Sequence, residues 1–237
     1  MTPKSPPRDA AGSDREAKLV ELRVDDSTVS GLWLAPPEAV ACLVVAHGAG
    51  AGMRHPFLAG LAAELASRGI ATLRYQFPYM DAARKRPDTP PVCHATVRAA
   101  VAAAERLAPE LPLFAGGKSF GGRMTSQAQA LNSLPGVRGL VFLGFPLHPP
   151  QQPSAARGDH LTQVDIPMLF LQGSRDAFAE PPLLQPLVAR LGRRATLCEL
   201  PGADHSFRVP ARGVPTQAQT DARLLEALVE WIRQRRA

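Results

Sequence analysis

The stretch LPLFAGGKSFGGRMTSQ, Leu111 to Gln127, carries two overlapping patterns, each able to do chemistry. Gly117-Lys118-Ser119 is the ending of a phosphate-cradling loop, and Gly117-Lys118-Ser119-Phe120-Gly121 is the G-x-S-x-G form of a turn that presents a nucleophilic serine. A phosphate loop needs a glycine where this chain has Pro112, so that the backbone can curl and aim several N–H groups at the phosphates. Proline has a fixed φ and no N–H and cannot do that glycine's work, which sets nucleotide binding behind the serine turn as an alternative. The serine turn asks instead for a strand, a sharp bend and a helix, with small residues two before and two after the nucleophile. Gly117 and Gly121 meet that need, and Gly116 and Gly122 relax the bend further.

A serine is inert near neutral pH without a base, and the base needs an acid to orient it and to stabilise its charged form. Among the histidines after Ser119, His148 and His160 fall in an irregular stretch, while His205 in ELPGADHSF follows a late strand. Asp176 in LFLQGSRDAF stands directly past the carboxyl end of another strand, 29 residues before His205. Asp165 lies at the amino end of that strand, Glu199 lies within a strand, and Asp204 adjoins His205 too closely for an easy contact with its ring. Ser119, Asp176 and His205 are therefore the expected catalytic set. The oxyanion formed by serine attack needs two N–H donors. Phe120, directly after the nucleophile, is one, and Ala49 in the glycine-rich HGAGAGM is the other, with Gly50 as its neighbour to check. His47 is read as shaping that loop by hydrogen bonding.

These residues must be positioned by repeated strand–helix units. KLVELRVDD and TVSGLWLAP alternate as an antiparallel hairpin about Asp25-Asp26-Ser27. VACLVVA, IATLRYQ, LPLFAGGKS, VRGLVFLGF, IPMLFLQGS and ATLCEL read as further strands, several of them continuous apolar runs of the buried parallel kind. HPFLAGLAAELASRG, PPVCHATVRAAVAAAERLA, FGGRMTSQAQALNSL, PPLLQPLVARLG and TQAQTDARLLEALVEWIRQR have helical spacing. The expected fold is α/β, a mostly parallel twisted sheet with helices on both faces and no large lid. In such sheets chemistry gathers at the carboxyl ends of the strands, where Ser119, Asp176 and His205 all fall. Pro146 to Asp165 is the one long irregular stretch.

The 237 residues suit a leader through about Ala17 followed by one domain, 18–237. Lysine and arginine outnumber the acids 27 to 21, but the charges are scattered and no basic run is interleaved with aromatics, so nucleic acid is not an expected partner. No run approaches a membrane span, and Cys42, Cys93 and Cys198 form no disulfide framework or C-x-x-C pair, which points to a cytoplasmic setting. No cofactor or metal is expected, since the histidines are scattered and no clustered ligand set occurs. Met53, Phe57, Tyr75, Phe77, Phe145, His148, Phe178 and Phe207 are the candidate lining of a substrate pocket on the same sheet edge. Lys118 and Arg123 are read as helix charges beside the nucleophile, able to attract an acidic substrate or simply solvated.

Taken in order, HGAGAGMRHPF, AGGKSFGGRM, GSRDAF and GADHSF resemble the α/β-hydrolase superfamily, and within it the small lidless dienelactone-hydrolase-like members. The elbow G-K-S-F-G-G-R is similar to that of a subgroup of predicted hydrolases which also includes a subunit of a eukaryotic histone-acetyltransferase complex. The resemblance spans roughly Leu32 to the C-terminus. Dienelactone hydrolases carry a cysteine where this chain has Ser119, so their substrate is not carried over. The resemblance implies the fold and the triad and does not specify a substrate; the expected function is a serine hydrolase of a small-molecule carboxylic ester or thioester, acting as a monomer or homodimer. The open alternatives are a non-catalytic interaction module on the same scaffold, and a peptidase or C–C bond hydrolase using the same triad.

Overall fold

Alternating apolar and polar side chains produce the opening hairpin. In the computed structural model, which describes residues 16–236, β1 (Lys18–Val24) pairs antiparallel with β2 (Ser27–Leu34), from Lys18 opposite Trp33 to Val24 opposite Ser27. Residues 1–15 of the expected leader lie outside the described residues, and β1 begins directly after Ala17. The continuous apolar runs form β3 (Ala41–Ala46), β4 (Ile70–Tyr75), β5 (Leu113–Lys118), β6 (Val137–Leu143) and β7 (Met168–Gly173), nearly all buried, and β8 (Ala195–Leu200) closes the far edge. The sheet order is β1-β2-β4-β3-β5-β6-β7-β8. β2 pairs antiparallel with β4, and every neighbour from β4 through β8 is parallel.

Proline explains where several helices start. α1 (Pro56–Ala66), α2 (Pro78–Asp81), α3 (Pro90–Leu107) and α5 (Pro181–Leu191) each begin on proline, whose missing N–H is no loss in a first turn. α4 (Phe120–Leu131) starts at the serine turn, and α6 (Gln217–Arg233) starts with a reciprocal cap between Thr216 and Gln219. α2 is a single turn with no periodicity to read, and the sequence does not foretell it. The stretch Pro146 to Asp165 also holds more order than expected, with a 3-10 helix over Ala156–Gln163.

Two apolar layers cover the sheet. Val97, Ala100, Met124, Ala128, Leu184 and Leu187, from α3, α4 and α5, pack on one face. Leu58, Leu61, Leu65, Leu224, Leu228 and Trp231, from α1 and α6, pack on the other. Trp231 rests where Gly139 bares the β6 backbone, since a Cβ there would stand 2.5 Å from the indole ring. No helix among the described residues is long and apolar enough to cross a membrane.

The chain runs from β3 to β4 on one side and then crosses to β5 on the other, so the direction of winding switches between β3 and β5. A crevice opens outside the carboxyl ends of strands at such a point. The loop containing Ala49 and the turn containing Ser119 border it.

Candidate active site

β5 ends at Lys118 and α4 begins at Phe120, leaving Ser119 to make the whole turn, with φ 50° and ψ −114°. A non-glycine residue held there is strained, and the neighbouring glycines show what permits it. A Cβ on Gly117 would lie 2.4 Å from the Ala46 carbonyl oxygen, and one on Gly121 2.6 Å from that of His47. The strand and the helix approach β3 too closely for any other residue. The Ser119 N–H donates to the Leu143 carbonyl at 3.1 Å, anchoring the turn to β6.

Asp176 lies in the turn after β7 and is fully buried. Its Oδ2 accepts from the Gln172 amide and from His205 Nδ1, the latter at 2.7 Å, and its Oδ1 accepts from the Phe178 N–H at 2.8 Å. His205, in the loop after β8, keeps a fifth of its side chain exposed, and its Nε2 lies 2.8 Å from Ser119 Oγ. With the ring proton on Nδ1, the serine hydroxyl donates to Nε2 and Nδ1–H donates to the carboxylate. The Phe178 ring lies 4.2 Å from the imidazole, centre to centre, and backs it. The arrangement can pass the serine proton to the imidazole and hold the imidazolium against a buried carboxylate.

Asp204, the neighbour of His205, is engaged elsewhere: its Oδ1 accepts from the N–H groups of Ser206 and Arg208. At the mouth of the crevice, neither the Phe120 N–H nor the Ala49 N–H has an acceptor among the described residues. The Gly50 N–H does have one, donating to the Tyr79 hydroxyl at 2.9 Å. His47 shapes this loop: Nδ1 donates to the Gly48 carbonyl at 2.7 Å and Nε2 accepts from the Phe77 N–H at 3.2 Å. Burial lowers its pKa, which keeps the neutral form that both bonds require.

The candidate pocket residues divide. Phe178 flanks His205, and the rings of Phe57 and Phe207 lie 5.6 Å apart. Met53 is buried, its N–H bonded to Gln76 and its carbonyl to Arg74. Tyr75 and Phe77 are buried, with Phe77 wedged between His47 and Phe120. Phe145 and His148 are buried as well. Phe145 is fully buried in the core against Phe142 and Phe170, and both His148 ring nitrogens are occupied, by the Pro149 carbonyl and by Glu180.

The strand reading of LPLFAGGKS holds for Lys118, and its reading as a helix charge needs correction. It is the last residue of β5 rather than a helix residue, and its ammonium points inward to donate to the main-chain carbonyl of His205 at 2.6 Å. Arg123 lies on α4 with its guanidinium 6.0 Å from the Phe120 ring centre and its Nε buried with no hydrogen-bond partner among the described residues. Gln172 and Tyr79 were missed from sequence. Gln172 carried a readable signal, a polar residue inside the apolar run LFLQG, whereas Tyr79 gave none.

The sequence profile of a family described as an alpha/beta hydrolase domain matches residues 39–233. Among solved structures, a dienelactone hydrolase from Anabaena variabilis is similar over 94% of this chain and 100% of its own, at 19% identity and a TM-score of 0.73. An α/β serine hydrolase without a lid from Xanthomonas campestris is 18% identical over 91% of this chain and 95% of its own, with a TM-score of 0.70. The esterase domain of a Rhodothermus marinus protein is 16% identical over 93% and 99%, again at 0.70. At such identities the likeness speaks for the fold.

Proposed function

The chain belongs to the alpha/beta hydrolase family, and from that premise we propose that it is a serine hydrolase cleaving a carboxylic ester or thioester through an acyl-enzyme on Ser119. The observation that carries the reading is the unbroken relay from Ser119 Oγ to His205 Nε2 at 2.8 Å and from His205 Nδ1 to Asp176 Oδ2 at 2.7 Å.

In the first half-reaction His205 takes the hydroxyl proton as Oγ bonds to the substrate carbonyl carbon. The carbonyl oxygen becomes an oxyanion facing the N–H groups of Phe120 and Ala49, the former at the positive end of α4. Collapse expels the alcohol or thiol, which leaves with the proton held on His205. In the second half-reaction His205 takes a proton from water as the water oxygen attacks the acyl carbon, and returns it to Oγ as the acid departs. Asp176, held by Gln172 and the Phe178 N–H, keeps the imidazole oriented throughout. The relay sits at the carboxyl ends of the strands with the imidazole partly exposed, and no long helical insertion covers it among the described residues, which supports a short or medium acyl group over a long lipid.

Labelling by a fluorophosphonate probe tests the reading, because such a probe bonds covalently only to an activated serine. Wild type is expected to label, and Ser119→Ala and His205→Ala are not. An unlabelled wild type, or a Ser119→Ala protein that labels as well, overturns the assignment. Turnover of p-nitrophenyl acetate beside an acyl thioester then separates the two leaving-group classes.

A further inference from the structure

The Lys118 side chain leaves the end of β5 and runs inward between two loops. A Cβ on Gly48 would stand 3.6 Å from its Cγ, and a Cβ on Gly144 would stand 3.0 Å from its Nζ and 3.5 Å from His205 Cε1 and Nδ1. The slot therefore exists because position 144, at φ 72°, carries no side chain. At its end Nζ donates to the His205 carbonyl at 2.6 Å and lies 5.1 Å from the centre of the Phe207 ring. Burial pushes the Lys118 pKa down to about 8, against the opposing pull of Asp176 and Asp204. Holding a lysine in such a place costs free energy, and a bare solvated charge would not be found there.

Other bonds fix the shape of the His205 loop without reaching the strand that carries the nucleophile. Asp204 caps Ser206 and Arg208, the Arg175 N–H donates to the Ala203 carbonyl, and Gln217 donates to the Phe207 carbonyl. These tie the loop to itself, to the turn after β7 and to α6. Among the described residues, the hydrogen bonds from this loop to the end of β5 are the Ser119 contact and the Lys118 bond, and the Lys118 ammonium over the Phe207 ring adds to the second. Two adjacent residues thus grip one histidine, Ser119 at the ring and Lys118 at the backbone.

We propose that Lys118 is a positioning residue, which through its bond to the His205 carbonyl sets the distance and angle of the imidazole over Ser119. The proposal rests on the reading of Ser119 and His205 as nucleophile and base. It also gives the lysine of the G-K-S-F-G-G-R elbow a task that needs no contact with substrate.

The test compares the full-length wild type with Lys118→Met, which keeps the apolar stem and removes the donor. Misplacing a base by a fraction of an ångström to 1 Å lowers turnover roughly 10- to 100-fold. A fall of that size is expected in fluorophosphonate labelling rate and in kcat on p-nitrophenyl acetate, with KM within about twofold because Lys118 does not touch substrate. A labelling rate within about twofold of wild type, or a loss carried by KM instead of kcat, overturns the proposal. Imidazole NMR, with the His205 signals assigned by their absence from His205→Ala, provides a readout independent of activity. Those signals are expected to shift in Lys118→Met, and their coincidence with wild type overturns the proposal. If wild type does not label, the hydrolase reading fails, and the NMR comparison still decides whether Lys118 sets the ring. Lys118→Gln, whose amide stops short of the carbonyl, is the second variant if the methionine protein does not fold.

Discussion

Replacing Asp176 with asparagine tests the acid end of the relay with almost no change in volume. The carboxylate accepts three hydrogen bonds, from His205 and Gln172 at Oδ2 and from the Phe178 N–H at Oδ1. Asparagine offers one oxygen and one NH2. With its oxygen at the Oδ2 position, the NH2 faces the Phe178 N–H, and a donor set against a donor in a buried site costs about 1–3 kcal/mol. With the amide flipped, the NH2 meets the Gln172 amide and the imidazole, an arrangement that His205 satisfies only by moving its proton to Nε2. That nitrogen then cannot accept the serine proton. In both orientations the imidazolium formed during attack loses its buried counter-charge. Together these losses predict a fall in kcat on p-nitrophenyl acetate of about 10³–10⁴, the scale seen when other triad aspartates become asparagine. At about 1.4 kcal/mol per tenfold, this equals roughly 4–5.5 kcal/mol of transition-state stabilisation. KM should change little, because Asp176 lies behind the histidine. A folded Asp176→Asn protein that keeps kcat within about tenfold of wild type would refute the argument and show that another group orients His205.

Two further predictions concern stability. His160, whose Nε2 lies 2.8 Å from Ser126 Oγ, has its pKa lowered to about 4 by burial first and by the charge of Arg123 second. Between that value and the unfolded value of 6.5 the unfolded chain binds the extra proton, so stability should fall as pH drops through this window. Urea midpoints at several pH values for wild type and His160→Gln check this, and equal slopes in the two proteins would contradict it. Trp231→Ala empties the space over Gly139 and beside Phe114, and should cost about 3–5 kcal/mol by urea unfolding followed through Trp33. A cost below about 1 kcal/mol would mean that α6 does not seal that face of the sheet.

The sheet was legible because its strands announce themselves in different ways. β1 and β2 alternate, while β3, β5, β6 and β7 are apolar runs that stop at glycine or polar turns. The longer helices were legible from their spacing. What escaped was local and short: the single turn of α2 and the 3-10 helix over Ala156–Gln163, neither long enough to display a period. Phe145 and His148 turn inward, which escaped for a different reason. Position at a strand end suggests the right edge of the sheet, but which way a side chain turns there depends on the segments packed around it. Phe142 and Phe170 draw Phe145 into the core, and Glu180 draws in His148.

Asp176 and Lys118 mark the two sides of what spacing can reveal. Asp204 is nearer to His205 in sequence, and proximity alone would choose it, yet an aspartate one residue before a turn has a closer task in capping the N–H groups that follow. In the structure it caps Ser206 and Arg208, leaving the distant Asp176 facing Nδ1. That outcome follows from local chemistry and strand direction, both of which a sequence contains. Lys118 follows from neither. Its slot is made by Gly48 after β3, Gly144 after β6 and the His205 loop after β8, three segments that meet only once the sheet is assembled. A lysine at a strand end ordinarily reads as a solvated charge, and here the missing Cβ of Gly144 admits it to a half-buried slot instead. The same glycine also leaves room for the imidazole, so any larger residue at 144 would press on lysine and histidine together.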